Sequence, residues 1–162
     1  MKTPEQTLVI MTELVLPSHT NTFGNVFGGV VMSWIDIAAA IAAGKHARKP
    51  VVTASIDALH FLAPIKQGYY VHIKAQVNFA SRTSMEVGVR VDCENPITGE
   101  TKRAVTAYTT FVALGENGKP SAVPELVPQT KEEIRRHKGA QKRKDTRIEL
   151  AKALKAQNET ES

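Results

Sequence analysis

One acidic residue, Asp36, stands alone in the most apolar stretch of the chain. Residues 26–43 read VFGGVVMSWIDIAAAIAA, and Asp36 carries the only charge among them. Burying a lone carboxylate costs free energy, so folding alone would favour Ala or Leu at this position. We therefore interpret Asp36 as a candidate catalytic residue. The alternative is a structural aspartate that is held by the amide of a neighbouring residue.

Two glycines, Gly28 and Gly29, lie where a turn-rich loop becomes this apolar segment. Glycine allows a ligand to approach the backbone closely, and the first N–H groups of a helix have no partner within the helix. Such N–H groups, aided by the helix dipole, can form an oxyanion hole for acyl transfer. Turn chemistry with tight packing explains the two glycines equally well.

The spacing of these residues constrains the mechanism. Asp36 follows Gly28 by eight residues, which is about 12 Å along a helix. One copy of the segment therefore cannot bring both groups to the same carbon atom. Two antiparallel copies related by a two-fold axis can do so. If both groups are functional, the spacing predicts a homodimer with two shared active sites.

Two polar residues on either side of the segment are further candidates. Asn21 lies in the preceding loop, where its carboxamide could orient a water molecule or the substrate. Thr53 begins the strand that follows and could donate a hydrogen bond to a carboxylate or a water. Each has an ordinary explanation, because Asn is common in turns and Thr is common in strands.

One long helix and a sheet must position these residues. The Ala-rich residues 38–43 favour helix over strand, and Gly44 is placed to end that helix. Because the helix is apolar on nearly all sides, other elements must enclose it. The fold predicted is α+β, with a long central helix wrapped by a five-stranded antiparallel sheet. Apolar periodicity predicts the strands at residues 7–16, 51–62, 69–79, 85–93 and 102–114.

The last part of the chain has the pattern of a basic helix. Its start is the capping box TKEE, and it runs toward Lys155 with Gly139 as the residue where it could break. Residues 129–162 hold 10 Lys and Arg against 6 Asp and Glu, whereas residues 1–128 hold 11 against 10. We therefore divide the chain into a domain, 1–128, and a basic helical tail, 129–162. The tail is either a solvated helix or a surface for anions such as nucleic acid or nucleotide phosphates.

The composition argues against several classes of protein. The chain has 162 residues and a net charge of +5, which fits one globular domain. No apolar run reaches the ~18 uncharged residues of a membrane span, and the polar N-terminus is unlike a signal peptide. With Cys93 as the only cysteine, we expect no intrachain disulfide and a cytoplasmic location. The five histidines lack metal-ligand spacing and the tail lacks a helix-turn-helix pattern, so we expect neither a metal nor nucleic acid.

Three blocks of the sequence resemble one protein family. The blocks LPSHTNTFGNVFGGVVMSWID, VVTASIDALHFLAPIKQG and NFASRTSMEV closely resemble the hot-dog-fold acyl-CoA thioesterases of the cytosolic acyl-CoA hydrolase type. The likeness extends over about residues 7–140. The resemblance implies a hot-dog fold and the hydrolysis of fatty acyl-CoA to free acid and CoA. It also implies homodimers, which often assemble as trimers of dimers.

The resemblance further implies roles for individual residues. The family's catalytic aspartate falls on Asp36, its loop asparagine on Asn21 and its accessory threonine on Thr53. Asn21 and Asp36 of one site would then come from different subunits. The chain departs from the family at position 19, where the family commonly has Asp and this chain has His19.

The CoA part of such a substrate requires a basic surface. CoA belongs to the substrate, so no separate cofactor is expected. Arg82 and Ser84 in the run ASRTS resemble the family's turn that meets CoA. Arg135 and Arg136 of the tail are candidates for contacts with the nucleotide end, although a solvated helix explains each of them equally well.

Two other functions compete with hydrolysis. A hot-dog hydratase or dehydratase acting on acyl chains uses a His ahead of the helix acid, whereas the corresponding loop here has Asn21 and Thr22. A non-catalytic sensor would bind acyl-CoA without cleaving it, but binding alone does not require Asp36. We therefore predict an acyl-CoA thioester hydrolase.

Overall fold

The computed structural model describes residues 1–160, in which six antiparallel strands form one sheet between two helices. The strand order is β1-β4-β5-β6-β2, and β3 also pairs with β6. This arrangement confirms the predicted α+β fold, in which a sheet wraps a long helix and a C-terminal helix follows. The helices are α1 (Gly28–Ala47) and α2 (Lys131–Thr160), and the strands are β1 (Val9–Leu14), β2 (Val51–Ile56), β3 (His60–Phe61), β4 (Tyr70–Ala80), β5 (Ser84–Glu94) and β6 (Thr101–Ala113).

Alternation along the central strands gives the sheet two different faces. The face toward α1, here called the inner face, is apolar and fully buried. Helix α1 turns Ile35, Ala38, Ala39 and Ala42 toward it, and their short side chains let helix and sheet pack closely. The opposite face, here called the outer face, is polar and lies under α2. The inner-face side chains include Val71, Ile73, Ala75, Val77, Val87, Val91, Ala107 and Phe111.

Helix α1 leaves one apolar stripe uncovered. Met32, Ile37 and Ile41 are 42%, 49% and 46% exposed, and we refer to these three residues as the uncovered stripe. By length and composition alone α1 could cross a membrane, a test that buried core helices also pass. Its packing on the inner face identifies it as a core helix. Large apolar side chains left exposed on such a helix mark an interaction surface.

The strand predicted at residues 51–62 is divided into β2 and β3, so the described sheet has six strands where five were expected. Two irregularities cause the division. In β2 the register shifts between Thr53 and Ser55, which leaves Ala54 as the extra residue of a β-bulge. Between the two strands, residues 57–59 face only two residues of β6. A bulge adds one residue without a distinctive sequence pattern, so apolar alternation does not reveal it.

Helix α1 ends later than the sequence indicated, because Gly44 lies inside it. The helix is closed by Arg48, whose backbone is left-handed (φ 53°) and whose N–H donates to the Gly44 carbonyl at 2.8 Å. The Lys2 ammonium donates to two of the last carbonyl oxygens of the helix, at 2.6 and 2.9 Å. A tertiary contact from the start of the chain therefore caps the helix. The prediction that Gly44 ends the helix is wrong.

A buried histidine lies at the same end of α1. His46 is fully buried, and its Nε2 donates to the Pro124 carbonyl at 2.8 Å. Its Nδ1 has no hydrogen-bond partner among the described residues. Burial lowers the pKa of His46, and the nearby positive charge of Lys2 lowers it further. The ring is therefore held in its neutral form, with the proton on Nε2.

Helix α2 begins as predicted with a capping box. The Glu133 N–H donates to the Thr130 hydroxyl at 3.1 Å, and the Thr130 N–H donates to the Glu133 carboxylate at 3.0 Å. The helix then continues to Thr160, so the break considered at Gly139 does not occur. The adjacent Ala140 is fully buried, and this packing offsets the poor helix propensity of glycine.

Ion pairs fasten the middle of α2 to the outer face. Glu86 of β5 is only 2% exposed and accepts hydrogen bonds from Arg143 (2.7 and 3.2 Å) and Arg147 (3.3 Å). Arg147 also pairs with Asp57, just after β2, at 2.8 Å. The Arg143 guanidinium lies over the Tyr108 ring, 3.6 Å from its centroid. Charge thus holds a helix whose apolar side chains are sparse.

Candidate functional site

Asp36 and Thr53 form the first part of the site. The Thr53 hydroxyl donates to one oxygen of the Asp36 carboxylate at 2.7 Å, which joins α1 to the edge strand β2. Asp36 is half-buried and lies beside the uncovered stripe. Ala54, the extra residue of the bulge, directly follows Thr53, and bulges near active sites often redirect a side chain. The structure therefore brings the candidate acid and the candidate threonine together.

The start of α1 carries two free N–H groups. No side chain caps the helix at Phe27, and the N–H groups of Gly28 and Gly29 have no acceptor within residues 1–160. A Cβ at position 29 would lie 2.8 Å from Cε1 of the Phe27 ring and would collide with it. A Cβ at position 28 would lie 3.5 Å from the Phe61 ring. Glycine therefore keeps this backbone open, as an oxyanion hole requires.

The loop before α1 presents the Asn21 amide. The side-chain oxygen Oδ1 of Asn21 accepts the N–H groups of Phe23 (2.9 Å) and Asn25 (3.2 Å). Gly24 makes the turn between them with a φ of 76°. Because the loop occupies Oδ1, the NH₂ group of Asn21 is the part of the amide that remains for a ligand. Asn21 thus shapes its own turn and also offers a hydrogen-bond donor.

One chain does not bring all of these residues together. Asn21, Gly28 and Gly29 lie at the start of α1, whereas Asp36 and Thr53 lie two helical turns further along. Since α1 is continuous over this interval, about 12 Å along its axis separates the free N–H groups from the carboxylate. A single chain therefore presents two half-sites. In the described part of the chain, no group of His, Cys, Asp or Glu could hold a metal ion.

A cavity of about 320 Å³ lies beside the start of α1 and is here called the helix-start cavity. All but one of its lining side chains are apolar, and Asp36 is not among them. Its walls come from two segments that are far apart in the chain, so residue spacing does not predict it; the run FLAPI is the only signal. The lining residues are Asn25, Val26, Val31, Phe61, Leu62, Ala63, Pro64 and Ile65.

The two residues expected to meet CoA near β5 have different surroundings. Ser84 lines a second cavity, of about 280 Å³, between the sheet and α2, together with Lys144 and Arg147. Arg82 is exposed in the preceding loop, and its carbonyl accepts the Val123 N–H at 3.0 Å. Nothing in the sequence spacing links Lys144 or Arg147 to Ser84, so these two cations are found only in the structure.

Arg135 and Arg136 make ion pairs on the first turns of α2. Both pair with Glu132, at 2.6 and 3.1 Å, and the hydrogen bond from Arg135 lowers the pKa of the Glu132 carboxyl to about 2. Arg136 also donates to Gln76 on the outer face at 2.9 Å. The structure therefore places these two arginines across the sheet from α1 and does not bring them to Asp36.

Two relatives are similar to most of the chain. Residues 23–100 match the family model described as the thioesterase superfamily. The uncharacterized acyl-CoA thioester hydrolase YkhA of Bacillus subtilis (strain 168) is 44% identical over 152 residues, which cover 91% of this chain and 88% of the relative. The cytosolic acyl coenzyme A thioester hydrolase of Mus musculus is 40% identical over 128 residues, which cover 78% of this chain and 34% of that longer protein.

Solved structures show the same architecture. A crystal structure of an apo-hexameric acyl-CoA thioesterase superposes with a TM-score of 0.89 at 42% identity, covering 93% of this chain and 98% of the other. An acyl-CoA hydrolase from Staphylococcus aureus, solved with butyryl coenzyme A and coenzyme A, superposes with a TM-score of 0.85 at 36% identity, covering 96% and 97%. The same hydrolase has been solved with alanine in place of an asparagine, an aspartate or a threonine.

Proposed function

Because this chain belongs to the acyl-CoA thioester hydrolases of the thioesterase superfamily, its activity is the hydrolysis of acyl-CoA to free fatty acid and CoA, and we propose that two copies of the chain build each active site. The observation that carries the proposal is the separation of the two half-sites along α1. Each half-site lacks what the other has, an oxyanion hole or a carboxylate. A dimer supplies both.

The uncovered stripe of α1 supports this dimer. Two copies of the helix packed antiparallel along the stripe would remove its large apolar side chains from water. The same packing brings the start of one helix to the middle of the other, where the half-buried Asp36 lies. A two-fold axis then creates two equivalent sites. Three such dimers would form a hexamer, and a similar solved thioesterase is described as hexameric.

The reaction begins when the thioester carbonyl oxygen binds the free N–H groups of Gly28 and Gly29. These donors stabilise the negative charge that develops on the oxygen when the carbonyl carbon is attacked. By one route, Asp36 of the partner subunit removes a proton from the attacking water; the C–S bond then breaks and the thiolate of CoA takes up a proton. By the other route, the carboxylate itself attacks, CoA leaves, and water opens the mixed anhydride.

The two remaining polar residues position these groups. The Thr53 hydroxyl fixes one oxygen of Asp36 and leaves the other for chemistry. The NH₂ group of Asn21 holds the thioester carbonyl or the water in line. In the Staphylococcus aureus hydrolase, the substituted asparagine, aspartate and threonine are separated by 15 and 17 residues, the same intervals that separate Asn21, Asp36 and Thr53. The equal intervals support the assignment of all three.

A mixture of two inactive variants tests the shared site. We expect D36A and N21A each to release little thiol from palmitoyl-CoA, because each removes one half of every site. When the two chains are co-expressed, a mixed dimer has one site with both residues intact and one site with neither. Random pairing makes half of the dimers mixed, so about a quarter of the wild-type activity should return.

The controls separate the parts of this proposal. A tagged D36A chain mixed with untagged D36A must stay inactive, since no pairing restores the carboxylate. If the D36A and N21A mixture also stays inactive while mixed dimers are recovered through the tag, the site is not shared. If the wild-type chain releases no thiol from any acyl-CoA, the assignment of hydrolysis itself fails.

Labelled water separates the two chemical routes. In a single turnover in H₂¹⁸O, the anhydride route can place the label in the Asp36 carboxylate, because water then opens the anhydride at either carbonyl. The general-base route leaves Asp36 unlabelled and puts one labelled oxygen in the fatty acid. Mass spectrometry of the peptide that contains Asp36 reads the difference directly.

Basic residues are proposed to bind the phosphates of CoA. Arg82 and Ser84 keep this role, and Lys144 and Arg147 join it because they share the second cavity with Ser84. Arg135 and Arg136 are retained for the nucleotide end, although Glu132 neutralises part of their charge. We expect R82Q to raise KM at low salt and to weaken the salt dependence of KM, with kcat unchanged.

The remaining assignments concern the protein as a whole. Residues 1–128 are proposed as the catalytic domain and residues 129–162 as a basic tail. We propose that hydrolysis requires no cofactor and no metal, since a carboxylate and backbone N–H groups suffice for the chemistry. A cytoplasmic location, with no membrane or nucleic-acid partner, is proposed on the single buried cysteine and on a similar mouse hydrolase described as cytosolic.

A further inference from the structure

The helix-start cavity is apolar and has a distinct floor and rim. Val31 and Ile65 are 1% and 3% exposed and form its floor. Phe61 and Leu62 are 49% and 65% exposed and form its rim. The cavity therefore opens outward between large apolar side chains. No charged side chain is among the residues that line it, so it suits an apolar ligand.

The cavity is directly connected to the half-site at the start of α1. Phe61 of its rim is the side chain that a Cβ at Gly28 would contact, at 3.5 Å. Asn25 of its wall donates its N–H to the side-chain oxygen of Asn21. Val31 of its floor is the residue one turn after Gly28. The free N–H groups, the Asn21 amide and the cavity thus meet at one point of a single chain.

We propose that the helix-start cavity binds the acyl chain and that its lining residues determine which chain lengths are cleaved. This inference rests on the proposed function. A carbonyl carbon held at the Gly28 N–H group has two substituents, the sulfur of CoA and the acyl chain. The apolar substituent enters the cavity and the CoA arm leaves toward solvent. Asp36 of the partner subunit then approaches from the uncovered stripe, which is a different side of α1.

The size of the cavity defines the preferred class of substrate. At about 30 Å³ for each water-sized group, a volume of about 320 Å³ holds on the order of ten carbon atoms. Short and medium acyl chains are therefore bound within one subunit. Each methylene that enters an apolar site improves binding by about fourfold, so affinity rises with chain length until the cavity is full.

Ala63 is the residue at which to test this proposal. Its side chain is small, half-buried and part of the cavity wall, so A63F fills the cavity without removing a core side chain. The matched control is A122F, at an exposed alanine outside the cavity. If A63F fails to fold by circular dichroism, A63L makes the same test with a smaller side chain.

Hydrolysis and binding are measured separately. For hydrolysis, we expect A63F to keep kcat/KM for acetyl-CoA within about twofold and to lose at least tenfold for decanoyl-CoA, while A122F resembles the wild type. For binding, calorimetry compares the thioethers S-ethyl-CoA and S-octyl-CoA, which cannot be cleaved. The octyl compound should bind the wild type at least tenfold more tightly, and this ratio should fall below about threefold in A63F.

Two results would overturn the proposal. One is an A63F variant with the wild-type ratio of octyl to ethyl binding. The other is an A63F variant that loses the same factor for acetyl-CoA as for decanoyl-CoA. A failure of the proposed function is recognised differently: the thioethers would still bind with a dependence on chain length that A63F removes, but no acyl-CoA would be hydrolysed.

Discussion

The two helices of this protein are held to the same sheet by opposite means. Helix α1 packs alanine and branched apolar side chains against the inner face and carries one acidic residue, Asp36. Helix α2 is polar along most of its length and is fastened to the outer face through Glu86, which binds Arg143 and Arg147. The first depends on burial and the second on charge.

The difference between the helices separates function from stability. In α1 the fold gains nothing from the carboxylate, so its charge serves chemistry. In α2 the buried carboxylate of Glu86 holds the helix in place, and it touches no residue of the proposed active site. Removing a charge from α1 should therefore affect turnover, and removing a charge from under α2 should affect stability.

The largest effect is expected for D36A, which should lower kcat by about 10³-fold or more, because a general base or nucleophile is lost. Its thermal midpoint should stay close to that of the wild type or rise, since a half-buried charge has been removed from an apolar helix. Steady-state thiol release and thermal melting measure the two properties. A D36A chain that melts far below the wild type would show that the carboxylate supports the fold, and the contrast between the helices would fail.

The E86Q variant tests the other side of the comparison. Two buried arginines would lose their carboxylate, and the free energy of unfolding should fall by about 3 kcal/mol. Urea titration of the wild type and of E86Q gives this value, with kcat measured on the folded fraction. The matched control is E132Q, whose ion pairs on the same helix are exposed and which should leave the urea midpoint unchanged. Loss of kcat in a fully folded E86Q chain would contradict the separation.

Thr53 gives a smaller effect that sharpens the assignment on α1. T53V removes the hydroxyl that donates to Asp36 and keeps the shape of the side chain. A hydrogen bond to a charged group is worth about 1.5 kcal/mol or more, so kcat should fall by about tenfold. T53S keeps the hydroxyl and should retain most of the activity. Equal losses in T53V and T53S would show that shape, and not the hydrogen bond, is what matters at this position.

The smallest effect concerns stability at mild acidity. Because burial lowers the pKa of His46, the folded chain binds fewer protons than the unfolded chain between that lowered pKa and the unfolded value of about 6.5. The free energy of unfolding must then fall as the pH falls below about 6.5, by at most about 1.4 kcal/mol per pH unit. Urea midpoints at pH 7.5 and 5.5 should show this loss in the wild type. H46Q keeps a donor for the Pro124 carbonyl and should lose less; an identical loss would assign the pH dependence to other groups.

Local patterns in the sequence were enough to predict most of the fold. The start of α1 at the glycines, the long alternating strands and the capping box of α2 all depend on residues within a few positions of each other. The end of α1 could not be predicted in this way. The Lys2 ammonium that caps it comes from the other end of the helix's surroundings, so Gly44 was the stronger local signal.

The candidate site was predictable in its chemistry but not in its walls. Asp36 is conspicuous because no other charge surrounds it, and Thr53 follows from the strand behind the helix. The helix-start cavity joins residues near Val31 to residues near Ala63, and Glu86 meets Arg143 across the sheet. Such contacts depend on how elements are placed in space, and apolar periodicity contains no information about them. The sequence therefore predicts which residues act and leaves open what surrounds them.

The two irregularities in the strand region after α1 have a joint consequence for side-chain parity. Each adds one residue relative to β6, and an odd insertion alone would reverse every side chain beyond it. Because there are two, the reversals cancel: Thr53 lies opposite Phe111, and Phe61 lies opposite Val105, both buried residues of β6. Both side chains therefore project toward α1, one to the carboxylate and one to the helix start. Losing a single residue from this stretch would turn the rim of the cavity away from the helix, whereas losing two would restore it.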